Sequence, residues 1–244
     1  MIQVIQRSFD ALELLAQRAP QAVPLGVIAR ELSLHPATCA NILKTLVHVG
    51  AVRVLPGRGG YQLGPSLAYL ARCGGMGQDI ALAAEGQARR LAQTLRETVV
   101  VATIQGGRRY TLCQIEGNRD LQVRSEFFSD DVFLTATGRV LVAHLDEREL
   151  ATMLQGRGGS GDDWPQLRQP AQRGRVLATI RRRGWELVRR DEVVAIARPL
   201  GQGEQVVAAI GIALPLSRFR GEHRRQVLDG LAAAANEINE ALRR

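Results

Sequence analysis

The chain has 244 residues, enough for one large domain or two modest ones, each with its own core. Its formal net charge of +8 suits an anionic partner without proving one, and residues 1–75 alone hold seven basic against three acidic side chains. Thirty-one of the 32 basic residues are arginine, and the single lysine, Lys44, follows Leu43, which excludes a Gly-Lys-Ser/Thr phosphate loop.

Residues 4–16 read as a helix with Phe9, Leu12 and Leu15 toward the core. A second helix, 25–32, carries Leu25, Ile28, Ala29 and Leu32 on one face. Ser33, Leu34 and His35 form a turn, and Pro36 suits the first position of a new helix. In that helix Cys39, Ile42, Leu43, Leu46 and Val49 recur at core-facing spacing, and Gly50 closes it. Its other face carries Ala37, Thr38, Asn41, Lys44, Thr45 and His48. Short hydrogen-bonding side chains on an exposed helix face allow close approach to base edges in a DNA groove. Two strands, 52–55 and 61–63, flank Pro56-Gly57-Arg58-Gly59-Gly60 and read as a hairpin wing, with Arg53 and Arg58 within reach of phosphates. Residues 1–64 are thus expected to form a winged helix-turn-helix domain. The competing reading is a small helical domain whose hairpin binds nothing.

A helix over 65–72 carries an apolar stripe of Leu67, Leu70 and Ala71. Gly74, Gly75 and Gly77 break it, so 65–77 is expected to be a linker helix and hinge. The second module, 78–244, opens on an amphipathic helix with Ile80, Ala84, Ala88, Leu91 and Leu95. Strands are expected at 99–105, 110–116, 121–126, 185–190, 193–200 and 205–214. Helices are expected at 135–145, 147–154, 173–183 and 219–242, with a polar loop at 156–172. The order implies an α+β fold: an antiparallel sheet covered by helices on one side.

Enzyme constellations are absent. His35, His48, His144 and His223 are scattered, and Gly158-Gly159-Ser160-Gly161-Asp162 lacks the final glycine of a nucleophile elbow. Asp162 and Asp163 are adjacent in a loop, which suits solvated charge better than acid–base work. Cys39, Cys73 and Cys113 show neither metal-ligand nor C-x-x-C spacing. There is no signal-peptide pattern, and the longest apolar run, 206–216, is too short for a bilayer. A cytoplasmic, non-enzymatic chain with no metal, no cofactor and no membrane partner is expected.

Several stretches together resemble the IclR-type bacterial transcription regulators over essentially the full chain. They are Ser8-Phe9-Asp10-Ala11-Leu12-Glu13-Leu14-Leu15, residues 38–46, Tyr61-Gln62-Leu63-Gly64 and Thr135-Ala136-Thr137-Gly138-Arg139-Val140-Leu141, followed by Ile180-Arg181-Arg182-Arg183-Gly184-Trp185 and Ile196-Ala197-Arg198-Pro199-Leu200. The resemblance implies a winged DNA-binding domain, a linker helix and a GAF-like effector domain. It also implies a homodimer or homotetramer that represses or activates catabolic genes from double-stranded operator DNA under control of a small-molecule effector.

The exposed helix face and the wing are expected to supply the DNA contacts Thr38, Asn41, Lys44, Thr45, Arg53 and Arg58. The resemblance places effector contacts at Ala136, Thr137, Gly138, Asp191, Ala195, Gly211 and Ala213. The family typically has Ser at the position of Ala37 and Arg at that of Asn41, which shifts load onto Arg53, Arg58 and Lys44. Only Val193 and Val194 separate Glu192 from Ala195, so the pocket loop is shorter than the family's. Independently of the resemblance, unpaired N–H groups in the first turn around Thr137 and Gly138 favour a carboxylate. Small residues at Gly211 and Ala213 either leave room for a ligand or merely permit tight helix–sheet packing. Arg124 either pairs with an anionic effector or faces solvent, and Phe127, Phe128 and Phe133 read as core before pocket wall. The alternative function is a DNA-binding protein whose second domain only oligomerises.

Overall fold

The computed structural model describes residues 2–56, 59–73, 76–119, 123, 128–129, 132–155, 164–202 and 205–243. They fall into two compact units, 1–75 and 76–244.

In the first unit, α1 (Gln3–Arg18) buries Ala11, Leu14 and Leu15. Phe9 does not join them: it is 59% exposed, and Ile5 on the same helix and Ile2 at its N-cap are exposed too. Helices α2 (Leu25–Glu31) and α3 (Pro36–His48) are joined by a turn in which Ser33 takes a left-handed φ of 52°. His35 caps α3, its Nδ1 accepting from the Ala37 N–H at 3.3 Å. Cys39, Ile42, Leu43 and Leu46 are buried, whereas Val49, expected in the core, lies 55% exposed at the helix end.

The wing strands β2 (Val52–Leu55) and β3 (Gly60–Leu63) gain a short third strand, β1 (Val23–Pro24), which pairs on the far side of β3. Gly64 must be glycine: a Cβ there would sit 2.2 Å from the Gly50 carbonyl oxygen, where wing base and helix end meet. Helix α4 (Pro65–Cys73) buries none of its residues; Tyr69 and Leu70 are 67% and 60% exposed.

The second unit begins at α5 (Met76–Leu95), and Gly77, read as part of a hinge, lies inside that helix. The sheet comprises β4 (Thr98–Gln105), β5 (Arg108–Ile115), β6 (Phe128–Ser129), β7 (Glu186–Arg190), β8 (Val193–Gln202) and β9 (Gln205–Pro215). Every neighbouring pair is antiparallel, in the order β6-β5-β4-β9-β8-β7. The strand expected over 121–126 falls almost wholly outside the described residues, as does the loop with Ser160, Asp162 and Asp163.

The other helices are α6 (Ala136–Ala143), α7 (Glu147–Gln155), α8 (Pro170–Arg183) and α9 (Gly221–Ala241). They cover both faces of the sheet rather than one. Val194, Ile196, Ile210, Ile212 and Leu214 pack against α5 and α9. The intervening Ala197 and Ala209 pack against α6 and α8. Period-two alternation therefore separates a bulky face from a small-residue face, and both are buried. The alternation shows that the two faces differ, but not that the small-residue face is also covered. That face lets α6 approach closely and, beyond it, leaves space.

Candidate DNA-reading face and effector cavity

The polar side of α3 lies open to solvent within its unit. Asn41, Lys44 and Thr45 are exposed and Thr38 is half-buried. Offsets of three and four residues put Thr38, Asn41 and Thr45 on one stripe. The Thr45 hydroxyl donates to the Asn41 carbonyl at 3.0 Å, so its oxygen keeps only acceptor capacity outward. Arg53 is exposed on β2 and donates to Gln62 Oε1 at 2.9 Å, and the Gln62 amide in turn donates to the Pro20 carbonyl. This chain ties the wing to the segment after α1 and holds the guanidinium in place. Arg58, expected at the wing tip, lies outside the described residues.

In the second unit a cavity of about 540 Å³ opens between the first turn of α6, the small-residue face of β8 and β9, and the β7–β8 turn. Ala136, Thr137, Asp191, Ala195, Gly211 and Ala213 all line it. The β7–β8 connection is a two-residue turn, Asp191-Glu192, closed by the Arg190–Val193 pair, with Asp191 at a left-handed φ of 47°. Both carboxylates and Arg190 are exposed at the mouth.

Gly138 does not line the cavity. A Cβ there would stand 1.9 Å from the Val132 carbonyl oxygen, so the glycine serves the packing of α6 on the segment before it. Its N–H is also not available to a ligand, because Thr135 Oγ1 accepts it at 3.0 Å. The first turn thus presents fewer donors than expected, with the capping threonine occupying part of the helix N-terminus.

The residue that sequence reasoning missed is Arg109. It sits near the start of β5, is 2% exposed, lines the cavity, and donates from Nη1 to Thr111 Oγ1 at 3.1 Å. Beside the turn Gly106-Gly107, an Arg108-Arg109 pair reads as solvated charge. Only the pairing of β5 with both β4 and β6 encloses Arg109. A planar guanidinium in a low-dielectric wall is suited to binding a carboxylate. Among the described cavity-lining residues with an ionisable side chain it is the buried one; Arg190, Asp191 and Glu192 are exposed at the rim.

Cys39 and Cys113 are not activated as thiolates. Burial pushes Cys39 up, and burial followed by the Glu85 carboxylate pushes Cys113 up against a smaller opposing effect of Arg89.

Comparison with known families and structures follows the same division. The family model described as bacterial transcriptional regulator IclR C-terminal matches residues 76–240, and that of the IclR helix-turn-helix domain matches residues 4–56. The chain is 26% identical over 247 residues to the HTH-type transcriptional regulator XynR of Escherichia coli, covering 99% of this chain and 98% of XynR. It is 31% identical over 154 residues to the HTH-type transcriptional regulator TtgV of Pseudomonas putida, a match spanning 63% of this chain and 58% of TtgV. Among solved structures, an IclR homolog from Microbacterium hydrocarbonoxydans complexed with 4-hydroxybenzoate matches with a TM-score of 0.76 at 23% identity, over 98% of this chain and 99% of that one. An IclR transcriptional regulator from Alicyclobacillus acidocaldarius matches with the same TM-score of 0.76 at 20% identity, over 99% of each.

Proposed function

We propose, from the premise that this chain belongs to the IclR family of bacterial transcriptional regulators, that it is a ligand-responsive regulator of catabolic genes whose effector is a small organic carboxylate. The observation that carries the effector reading is the buried Arg109 guanidinium in the wall of a cavity of about 540 Å³. That volume lies within the range of roughly 300–1,000 Å³ usual for small-molecule sites. The remaining wall, from Val100, Ala195, Ile212 and Ala213, is apolar and suits a ring or short chain. Thr137, with its hydroxyl on the first turn of α6, supplies a second polar contact. The relative complexed with 4-hydroxybenzoate supplies a probe of the right chemistry.

On the DNA side, Asn41 and Thr38 would read base edges while Lys44, Arg53 and Arg58 hold phosphates. The exposed apolar residues Ile5 and Phe9 of α1 and Ile2 at its N-cap, with Tyr69 and Leu70 of α4, would be covered in a homodimer that presents two α3 helices to a two-fold operator. The effector then acts through its differential affinity for the DNA-competent and DNA-incompetent arrangements.

Thermal unfolding and operator binding, each with 4-hydroxybenzoate and with its uncharged amide, test the reading. The carboxylate should raise the Tm and change operator affinity, the amide should do neither, and Arg109→Gln should abolish the difference. A panel of small carboxylates that leaves both quantities unchanged would support the oligomerisation-only alternative.

A further inference from the structure

Charge is spread unevenly along this basic chain. Residues 164–190 hold eight arginines against one carboxylate, Glu186, a local excess of +7 where the whole chain has +8. Residues 76–163 hold ten arginines against thirteen carboxylates, and 191–244 hold seven of each. The strongest concentration of positive charge therefore lies outside the helix-turn-helix domain.

Most of it sits on α8 and on β7, the edge strand that follows it. Leu177 and Ile180 of α8 share a core with Val188 of β7. With that face buried, helical spacing turns Arg175 and Arg182, seven residues apart, outward together. Arg175, Arg181 and Arg182 are exposed, as is Arg190 of β7, which shares the strand face of Val188; Arg189, also exposed, alternates to the opposite face with Leu187. Short side chains lie between them on the outer side of α8: Gly174, Ala178 and Thr179. Among the described residues, no carboxylate comes within ion-pair distance of any of these five arginines. Glu186, the one acidic residue of the segment, is already engaged by Arg183 at 2.6 Å. Like charges held together without counter-ions repel, and a polyanion relieves that repulsion.

We propose that this α8–β7 surface is a second, sequence-independent DNA contact, gripping phosphates that flank the operator once the helix-turn-helix has docked. Guanidinium groups bind phosphate oxygens bidentately, and arginines outnumber the one exposed amide side chain of α8, Gln172, so the surface is built to hold phosphates more than to read bases. Tethering supplies the strength: with one domain on the duplex, flanking phosphates stand at a high effective concentration for the other. The inference rests on the operator-binding reading, and the test separates the two.

The test measures binding of the full chain to two operator duplexes, one covering only the bases protected by the helix-turn-helix and one extended by about three helical turns on each side. The wild-type chain should bind the longer duplex at least tenfold tighter, with a salt slope steeper by about 2.7 for three phosphate contacts. The triple variant Arg175→Gln, Arg181→Gln, Arg182→Gln should bind the short duplex like wild type and gain nothing from the flanks. Equal affinity of wild type for both duplexes, or an equal loss by the variant on both, overturns the proposal. So does retention of wild type, but not the variant, on phosphatidylglycerol vesicles without any duplex-length effect, which would assign the surface to lipid. Failure of wild type to bind either duplex removes the operator reading itself.

Discussion

Thr137 and Gly211 meet face to face where α6 crosses the sheet: a Cβ built on Gly211 would stand 2.9 Å from Thr137 Cγ2 and 3.0 Å from the Ile196 carbonyl oxygen. Both residues also line the effector cavity. The small residue at 211 is therefore required for close packing, and the space for a ligand comes from its neighbours Ala195 and Ala213. Gly211→Ala should cost about 1–3 kcal/mol through overpacking against backbone that cannot yield. Chemical denaturation measures this, and an unchanged stability would show that α6 can shift freely.

Glu97 is 2% exposed and holds Arg218 through two hydrogen bonds of 2.7 and 2.6 Å, with His223 Nε2 at 3.1 Å. It ties the start of β4 to the segment entering α9. Glu97→Gln should destabilise the domain by about 3 kcal/mol, because removing one partner leaves a partly buried cation. Adding Arg218→Met should restore much of that loss. Equal stability of the single and double variants would contradict this account.

Glu186 gives a pH dependence with a definite sign. Burial raises its carboxyl above the ordinary 4.5, outweighing the opposing effects of Arg183, Arg139 and the Leu187 N–H. The unfolded chain therefore releases this proton first, and the folded state loses stability as pH rises through and above that value. Wild type should lose stability relative to Glu186→Gln over that window, followed by Tm against pH. A parallel pair of curves would refute the shift.

Asn41→Ala should relax discrimination at one base pair by about 1–3 kcal/mol while leaving the salt slope alone. Lys44→Ala should instead weaken all sequences alike and lower the slope by about 0.9. Competition binding over operator variants distinguishes the two, and a uniform loss for Asn41→Ala would take it out of base reading.

Phe9→Asp should shift the chain toward monomer in sedimentation while its Tm changes little, since the side chain is 59% exposed within its own chain. A large loss of stability at a dilution where wild type is monomeric would instead place Phe9 in a core.

Helical periodicity carries both orientations of α3 into the sequence, because one turn repeats every 3.6 residues and Asn41 and Lys44 fall opposite Ile42 and Leu46. It could not tell a core-facing Phe9 from one facing outward. Both occupy an apolar stripe, and the width of the stripe actually covered depends on how much partner surface the domain itself provides. The short strand β1 left no pattern, since two residues cannot show alternation.

By itself, then, the order of residues determined what each element is and which of its faces is apolar, because those properties repeat over a few neighbouring positions. Which faces become covered, and what is enclosed between them, was decided only in three dimensions. Helices from distant parts of the chain close over both sides of one sheet, and two strands flanking β5 turn an arginine beside a glycine turn into the buried charge of a cavity. Burial is a property of contacts between segments far apart in the chain, and local spacing does not record it.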